Sequence, residues 1–429
     1  CIGATTISEY RKSIEKDGAL ERRFQKVMVQ PTSAEETYAV LTRISEMYGA
    51  FHHVQYTEEA LHACVKLTDR YITDRFFPDK AIDAMDEVGA WKGSQAKKQE
   101  GDETMVKVTE ADVAFVVSRM SGVPVQRVAQ AEGEQLRNMN NVLKQRVVGQ
   151  DKAIDTIVKA IQRSRMGLRD PNKPIGTFFL LGPTGVGKTH LAQCLAEEMF
   201  GNKEAIIRFD MSEYIEKHTV SLLVGAPPGY IAHEEGGKLT EAVRRKPYSI
   251  VLFDEIEKAH ADIFNILLQV MDEGRLTDRQ GRVVDFRNTI IIMTSNVGTR
   301  QLNEFGAGVG FNADEIDEKQ SEHMLTKALN RTFPPEFVNR LDNVVVFHPL
   351  NDDALAQILT LELHPLKLRL EAMGYKLQLT KKTKEQLLER SRDRKYGARP
   401  LKRAIQTLIE DPITDILLSG KTENKIIKI

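Results

Sequence analysis

The chain has 429 residues, of which 41% are hydrophobic, so it is long enough to bury two or three domain cores. Its 60 basic and 61 acidic residues leave a formal net charge of −1, which argues against attraction to nucleic acid or to a membrane surface. The 3 cysteines lack metal-ligand spacing and no stretch is apolar enough for a membrane span, so we expect a reducing, cytoplasmic compartment.

The first part of the chain is predicted to be mainly helical. Apolar residues recur every three to four positions over 35–47 and 57–71, which is typical of amphipathic helices. The stretch 92–107 is polar and lacks periodicity, so it is predicted to be a loop. Thr109, with Asp112 three residues later, predicts the cap of a further helix.

A glycine-rich motif follows the apolar run 177–181. Its residues are Gly182, Pro183, Thr184, Gly185, Val186, Gly187, Lys188 and Thr189, the pattern G-x-x-x-x-G-K-T after a predicted strand. Glycines let the backbone turn tightly, so that successive N–H groups converge on the β- and γ-phosphates of a nucleotide, and Lys188 adds positive charge there. Thr189 opens the next helix, where its hydroxyl can hold Mg²⁺. The alternative is a turn that binds nothing, and the strand and helix on its two sides favour the nucleotide site.

A second buried-strand pattern, 249–253, ends in two adjacent carboxylates, Asp254 and Glu255. Parallel strands bring their carboxyl ends to one edge of a sheet, beside the nucleotide. Asp254 suits Mg²⁺ binding and Glu255 suits polarisation of an attacking water. Two adjacent acids can also be a solvated strand end, but their position after a P-loop favours the catalytic role. Strands and helices alternate over 177–296, which predicts an α/β fold with helices on both faces of a parallel sheet.

One pattern occurs twice. The segment 26–33 precedes a helical pattern and parallels 343–351, which also precedes one. Upstream of each lie arginines, Arg22 and Arg23 in the first copy and Arg340 in the second. A P-loop and an acidic strand precede only the second copy. We therefore expect the chain to hold the end of one module and the whole of another, and to begin inside a longer natural protein.

The P-loop, the acidic strand, the tripeptide Thr294-Ser295-Asn296, Arg340 and the tripeptide Gly397-Ala398-Arg399 together resemble the AAA+ ATPases of the two-ring Clp family, with the ClpC type as the best match. The resemblance covers essentially the whole chain except 92–107. It implies an AAA+ P-loop NTPase fold, with a parallel sheet flanked by helices and with helical small domains.

The resemblance also implies a domain organisation. The expected domains are the C-terminal remnant of a first AAA+ large domain (1–31), its helical small domain (32–126), a linker (127–146), a second AAA+ large domain (147–348) and a C-terminal small domain or lid (349–429).

The resemblance implies individual roles in binding ATP and Mg²⁺. Asn296 matches sensor 1, which orients the attacking water. Arg340 matches the arginine finger, which reaches the nucleotide of a neighbouring subunit, and Arg399 matches sensor 2 in the lid. Val147 and Val148 match the segment that packs on adenine. Either arginine by itself would be an ordinary surface ion-pair residue, so the shared order and spacing carry these assignments.

The first copy carries weaker versions of the same parts. Thr5 resembles its sensor 1, and Arg22 and Arg23 resemble its arginine fingers. Lys80 stands where the second copy has Arg399, which is a departure from the family pattern. Without a P-loop of its own, this copy is not expected to hydrolyse ATP.

Two glycine-rich segments point to partners. Gly229, Tyr230 and Ile231 match the pore loop with which Clp unfoldases grip polypeptides, although the following Ala232-His233 departs from the expected glycine–aromatic pair. Val309, Gly310 and Phe311 resemble the loop that protease-linked Clp ATPases insert into the ClpP peptidase ring. The alternatives are a packing aromatic in the first segment and an ordinary surface loop in the second.

The implied function is ATP-dependent unfolding of unfolded or tagged proteins and their delivery, through a homo-hexameric ring, to a ClpP-type peptidase in the bacterial cytoplasm. The resemblance is compatible with an adaptor protein. A disaggregase that works without a peptidase is the alternative within the family. Two other classes are an ATPase acting on nucleic acid, which the near-neutral charge disfavours, and a nucleotide-binding module without turnover.

Overall fold

The computed structural model describes residues 1–72, 75–96, 105–121, 132–225, 236–299, 318–391, 398–419 and 426–428. The chain divides into two compact units, Cys1–Gly122 and Val123–Ile429. Among the described residues, no helix is both long and apolar enough to cross a membrane.

The first unit is a small helical domain. Its elements are α1 (Ile7–Glu9), a π-helical stretch (Tyr10–Ile14), α2 (Gly18–Glu21), α3 (Ala34–His52), β1 (Val54–Tyr56), α4 (Glu58–Tyr71), α5 (Asp79–Ala96), β2 (Val106–Val108) and α6 (Glu110–Ser121). Strands β1 and β2 pair in parallel. Ser33 caps α3 in a reciprocal capping box with Glu36, and Thr57 caps α4, so local side chains satisfy the first free N–H groups of both predicted helices.

The second unit contains an α/β domain followed by a helical lid. Its α/β elements are α7 (Glu132–Arg146), α8 (Asp151–Arg165), β3 (Gly176–Leu181), α9 (Lys188–Phe200), β4 (Ile206–Asp210), α10 (Lys217–Val224), α11 (Lys238–Arg245), β5 (Ile250–Asp254), α12 (Ala261–Glu273), β6 (Arg275–Thr277), β7 (Val283–Asp285), β8 (Ile290–Ser295), α13 (Glu318–Thr332), α14 (Pro335–Asn339) and β9 (Asn343–Val346). Two 3₁₀ turns, Met211–Glu213 and Ile256–Lys258, follow β4 and β5.

Five of these strands form one parallel sheet in the order β4-β5-β8-β3-β9. Every residue of β3 and of β8 is buried, as expected for central strands covered by helices on both faces. The sheet places β8 between the P-loop strand β3 and the acidic strand β5. The predicted α/β fold with a parallel sheet flanked by helices is confirmed.

The lid has its own core. Its elements are α15 (Asp352–Ala372), β10 (Lys376–Gln378), α16 (Lys381–Ser391), α17 (Arg399–Ile405), a π-helical stretch (Gln406–Glu410), α18 (Asp411–Ser419) and β11 (Ile426–Lys428). Leucines of α15 recur at helical spacing and bury against α16 and α17; they are Leu359, Leu363, Leu366 and Leu370. Strand β11 pairs in parallel with β10, which ties the end of the chain to the lid.

The structure corrects the prediction of a loop at 92–107. Helix α5 continues to Ala96, and β2 begins at Val106, whereas 97–104 lie outside the described residues. Lys92 Nζ donates to Asp112 Oδ1 at 2.7 Å, and the Trp91 ring packs on Phe115 at 4.6 Å between centroids. These contacts with α6 extend the helix into a stretch whose sequence has no helical periodicity.

The interpretation of 127–146 as a linker is also incomplete. Residues 132–146 form helix α7, and its apolar side chains Leu136, Met139 and Leu143 are buried within the second unit. Residues 132–146 therefore belong to a helix packed on α8, and the residues just before it lie outside the described part.

The segment 26–30, which parallels the start of 343–351 in sequence, forms no strand in the described part of the chain. Val27 and Val29 are 79% and 87% exposed, and no described strand pairs with them. The first regular element of the chain is the short helix α1, capped by Thr6.

Candidate functional site

The P-loop joins β3 to α9 as predicted. Gly185 and Gly187 have φ values of 79° and 103°, a backbone conformation that favours glycine. Gly182 donates its N–H to Ser295 O at 3.3 Å, and a Cβ at Gly182 would clash with the carbonyl oxygen of Phe347. The loop therefore lies between the ends of β8 and β9 and leads into the N-terminus of α9, where backbone N–H groups favour an anion.

Lys188 occupies the first position of α9, and its ammonium lies in the loop. Its Nζ donates to Pro183 O at 2.9 Å and to Gly182 O. Burial lowers the pKa of Lys188 to about 8, against the opposing effect of nearby carboxylates, of which Glu257 is the strongest. A buried cation in a ring of carbonyls and N–H groups is suited to phosphate binding.

The acidic strand ends in Asp254 and Glu255, which both hydrogen-bond one hydroxyl of the neighbouring strand. Thr294, buried in β8, donates its hydroxyl to Asp254 Oδ1 and accepts the N–H of Glu255 at 3.2 Å. Arg208 of β4 donates to Asp254 Oδ2 at 2.6 Å. The side chain of Asp254 is thus oriented from both neighbouring strands, and the structure brings Asp254 and Glu255 to the same sheet edge as the P-loop.

Glu255 has an unusual backbone. Its φ of 55° lies in the left-handed region, which among the described residues only one other non-glycine residue, His53, adopts. Its carboxylate forms an ion pair with Lys258. Such backbone strain is held in place by surrounding contacts and is frequent at functional sites. Here the hydroxyl of Thr294 supplies one of those contacts.

Asn296 follows β8, between the P-loop and the acidic strand. Its N–H donates to Glu257 Oε1 at 3.3 Å. Glu257 Oε2 is buried and has no hydrogen-bond partner in the described part of the chain. Glu257 therefore connects the 3₁₀ turn after β5 to the segment after β8. The negative charge of Glu257 also favours the charged form of Lys188.

The roles of three residues were not predicted from the sequence: Arg208, Glu257 and Thr294. Thr294 offered a signal, because it is a polar residue near the end of the apolar run of β8. Arg208 offered a weaker signal as a charged residue within a strand. Glu257 offered none, because its partner Asn296 is far away in sequence.

The lid also contacts the P-loop. Ala398, the residue before α17, donates its N–H to Gly185 O at 3.0 Å. Arg399 begins α17 and is exposed. The structure thus brings the predicted sensor-2 residue to the edge of the nucleotide loop.

The predicted adenine segment lies between α7 and α8. Val147 is buried, and its Cγ1 lies 3.7 Å from the position of a Cβ built on Gly187. Val148 lines a cleft of about 680 Å³ that is otherwise formed by residues of α7 and α15. Both valines therefore adjoin the nucleotide loop or the lid.

Arg340 follows α14 and is 41% exposed. Its guanidinium forms an ion pair with Asp272 near the end of α12. This contact occurs within one chain, so the residue lies at a surface and is partly accessible.

The remaining predicted positions divide into two groups. The pore residues Gly229, Tyr230 and Ile231 and the docking residues Val309, Gly310 and Phe311 lie outside the described residues. Thr5, Arg22 and Arg23 are exposed residues of the first unit, where Thr5 Oγ1 donates to Glu9 Oε2 at 3.1 Å. In the described part of that unit, no phosphate loop adjoins them.

The donor set fits a nucleotide with Mg²⁺. The hydroxyl of Thr189 and the carboxylate of Asp254 are hard oxygen ligands of the type that Mg²⁺ prefers, together with phosphates and water. Asp254 is already oriented by two hydrogen bonds, and Thr189 is the second residue of α9. These two residues would hold the ion next to the phosphates bound by the loop.

Three protein-family models match the chain. An AAA domain of the Cdc48 subfamily matches 173–344, an AAA lid domain matches 33–120, and the C-terminal D2-small domain of ClpB protein matches 350–429.

Similar curated proteins are longer than this chain. The Bacillus subtilis protein described as "Negative regulator of genetic competence ClpC/MecB" is 47% identical over 98% of the chain and 58% of its own length. The ATP-dependent Clp protease ATP-binding subunit ClpC of Staphylococcus epidermidis is 45% identical over 100% of the chain and 59% of its own length. The chain thus spans under two thirds of these relatives.

Solved structures of Hsp104 are similar over nearly the whole chain. A closed state of Hsp104 with ATPγS and FITC casein has a TM-score of 0.81 and 36% identity, and covers 99% of this chain and 71% of that one. A Saccharomyces cerevisiae Hsp104–ADP complex has a TM-score of 0.81 and 35% identity, and covers 100% and 72%. The sequence and structural comparisons therefore both cover nearly the whole chain.

Proposed function

The chain belongs to the Clp family of AAA+ ATPases, and from this premise we propose that its second unit binds ATP with Mg²⁺ and hydrolyses it. One observation carries the proposal: Thr294 hydrogen-bonds both Asp254 and the backbone of Glu255 at the sheet edge that also holds the P-loop. The shared hydroxyl holds the Asp254 side chain and the Glu255 backbone at that edge. This arrangement serves hydrolysis, whereas binding alone would not require Glu255.

Each residue of the site has its own role in nucleotide binding or hydrolysis. The N–H groups of the P-loop and Lys188 bind the phosphates, while Thr189 and Asp254 hold Mg²⁺, which neutralises charge on the phosphates when bound. Glu255 accepts a proton from the attacking water, and Asn296 orients that water. Val147 and Val148 pack on adenine. Asp254 ends β5 and Asn296 follows β8, so the sheet holds these two residues near the P-loop.

Two arginines connect hydrolysis to larger motions. We assign Arg340 to the nucleotide of a neighbouring subunit in a homo-hexamer, because it is partly accessible and follows the end of α14. We assign Arg399 to the nucleotide bound within its own chain, because α17 begins where Ala398 contacts the P-loop. Hydrolysis would then depend on ring assembly and would change the position of the lid.

We propose that the assembled protein threads polypeptides through its pore and delivers them to a ClpP-type peptidase, in the bacterial cytoplasm. The ClpC relatives are described as ATP-binding subunits of the Clp protease, which supports the peptidase. Tyr230 would grip the substrate and Phe311 would dock on the peptidase. The Hsp104 structures favour a second candidate, an unfoldase or disaggregase that acts without a peptidase.

The first experiment tests hydrolysis. Glu255→Gln should still bind a fluorescent ATP analogue but lower kcat by about 10²- to 10⁴-fold, because it removes the proton acceptor and keeps the side-chain shape. Lys188→Ala should weaken binding itself. Glu273→Gln, an exposed acid at the end of α12, is the matched control.

Turnover of Glu255→Gln at the parental rate would refute the assignment of the acidic strand. A parent protein that binds nucleotide but shows no turnover at any protein concentration would instead favour the binding module.

The second experiment separates the two candidate functions. In the assembled protein, Phe311→Ala should keep ATPase activity and substrate unfolding but lose peptidase-dependent degradation, because burial of a Phe contributes about 1.5–3 kcal/mol and several loops act together. Phe305→Ala, in the same segment, is the control. Degradation at the parental rate by Phe311→Ala would leave the disaggregase as the better candidate.

A further inference from the structure

One buried side chain joins the nucleotide loop to the start of the lid. Gln150, which precedes α8, is 3% exposed. Its Nε2 donates to His348 O at 2.9 Å and to Val186 O at 3.4 Å, and its Oε1 accepts the N–H of His348 at 3.2 Å. Val186 belongs to the P-loop, and His348 follows β9 on the way to α15. The amide therefore bridges two backbone segments that are far apart in sequence.

The residue before Gln150 is also closely packed against the start of the lid. Gly149 has a φ of 78°, and a Cβ there would lie 3.3 Å from both Ala354 Cβ and Leu350 Cδ2. Phe347 donates its N–H to Leu181 O at 2.7 Å, so the end of β9 runs directly beside the end of β3. The segment at 149–150 thus fills the space between the P-loop and the hinge of the lid, which we define as residues 347–351.

Only a primary amide of this length can make the three bonds. It offers two N–H donors and one carbonyl acceptor, and here both donors and the acceptor are used. A carboxylate could not donate to either carbonyl, and an aliphatic side chain could make none of the bonds. The side chain of Gln150 does not cap α8, so its loss would leave the start of that helix unchanged.

The peptide unit between Val186 and Gly187 explains how the bridge can respond to nucleotide. The C=O of Val186 and the N–H of Gly187 belong to one planar peptide. A bound phosphate would accept the N–H of Gly187, and the Gln150 amide donates to Val186 O. The two contacts would therefore restrain the same peptide plane from opposite edges. The 3.4 Å contact is the longest of the three, so it has the most room to shorten when the plane is fixed.

We propose that Gln150 is a positioning residue that transmits occupancy of the P-loop to the hinge of the lid, an inference that builds on the proposed binding of ATP in the second unit. When phosphates fix the Val186–Gly187 peptide, Gln150 holds the backbone of His348 in one orientation. That orientation sets the direction in which the chain enters α15. Gln150 itself does not touch the reacting atoms.

The test uses hydrogen–deuterium exchange of the full chain with and without Mg²⁺ and ATPγS. In the parent, nucleotide should protect peptides over the P-loop and over the hinge. In Gln150→Met, which keeps the length of the side chain, nucleotide should still bind within about threefold of the parental Kd and protect the P-loop, but hinge protection should be lost. We expect kcat to fall by about tenfold.

Gln162→Met is the matched control. Gln162 lies within α8, the helix that Gln150 precedes, and donates its Nε2 to Leu136 O at 2.7 Å, so its substitution also removes an amide–carbonyl bond, on the packing surface of α7. This control should retain nucleotide-dependent protection of both the P-loop and the hinge. Gln150→Asn, which keeps the amide but is too short to reach both carbonyls, gives the same readout if Gln150→Met does not fold.

Nucleotide-dependent hinge protection equal to the parent's in the Gln150 variant that folds would overturn the inference. A parent protein without nucleotide-dependent protection of the P-loop would instead refute the proposed ATP site, so the two failures are distinguishable.

Discussion

The segments 26–30 and 343–347 have similar sequences and different structures. In the second unit, Asn343–Val346 forms β9 and pairs with β3. In the first unit, the corresponding valines are exposed and no described strand pairs with them. A run of β-branched residues therefore becomes a strand only where a neighbour offers hydrogen bonds and an apolar face.

Lys80 and Arg399 show a second difference between the two copies. Lys80 is buried in the first unit, where its Nζ donates to Ile72 O at 3.1 Å and lies 4.4 Å from the centre of the Phe77 ring. Arg399 is exposed at the start of α17, next to the residue that contacts the P-loop. The two positions that correspond in sequence thus contribute to packing in one unit and adjoin the residue that contacts the P-loop in the other.

The largest expected effect is on turnover, and it should follow arginine substitution in the second unit but not in the first. Arg340→Ala should lower kcat by about 10³-fold or more at nearly unchanged nucleotide affinity, because an arginine finger stabilises the transition state. Arg23→Ala, the matched change in the first unit, should leave turnover by the second unit at the parental level. Steady-state ATPase assays on assembled protein measure both effects.

Mixed assemblies extend the arginine test. Rings that combine Arg340→Ala with Glu255→Gln subunits should regain some activity. The intact Arg340 of a Glu255→Gln subunit can reach the nucleotide of a neighbouring subunit whose Glu255 is intact. The absence of any regain in verified mixed rings would argue against a finger that acts between subunits. The surface pair of Arg340 with Asp272 is worth only about 0–1 kcal/mol, so Arg340→Ala should fold normally.

The contrast between Lys80 and Arg399 predicts a stability effect in one unit only. Lys80→Met should lower the free energy of unfolding of the first unit by about 1–3 kcal/mol, because it leaves the carbonyl of Ile72 without its donor. Arg399→Met should leave the stability unchanged but lower turnover. Urea titration followed by Trp91 reports the first unit, since this residue is the only tryptophan of the chain.

Lys66→Met is the control for that measurement, because Lys66 is an exposed lysine of α4. An equal loss of stability in Lys66→Met and Lys80→Met would show that the buried contacts of Lys80 contribute nothing specific.

The smallest effect concerns pH and the second unit alone. Because burial lowers the pKa of Lys188 from 10.5 to about 8, the free protein loses the ammonium as pH rises through 8. Bound phosphates favour the charged amine, so nucleotide binding should take up a proton, and the association constant should fall by up to about tenfold per pH unit above 8. Below pH 8, burial of the Lys188 charge lowers the free energy of unfolding by its full amount, and this destabilisation disappears as the pH rises from 8 to 10.5.

Calorimetry in two buffers with different ionisation enthalpies measures the proton uptake directly. Uptake should approach zero at pH 6.5 and rise above pH 8, in line with the pKa of about 8. A nucleotide affinity independent of pH across this range would contradict a functional role for the shifted pKa of Lys188.

The sequence by itself determined the features that depend on neighbouring residues. The P-loop between β3 and α9, the capped helices of the first unit and the acids at the end of β5 each follow from short patterns. Glycines set the backbone of the loop, and side chains three residues apart satisfy helix ends. Such patterns were sufficient to predict the α/β fold, the P-loop and the acidic pair, whereas the roles of the other candidate site residues came from the family resemblance.

Only the tertiary structure decided the rest, because the partners lie far apart in the chain. The bond from Asn296 to Glu257 spans 39 residues, that from Arg208 to Asp254 spans 46, and that from Gln150 to His348 spans 198. Strand order brings these residues together, and no local pattern encodes it. The same dependence on distant partners explains why 343–346 forms a strand and 26–30 does not.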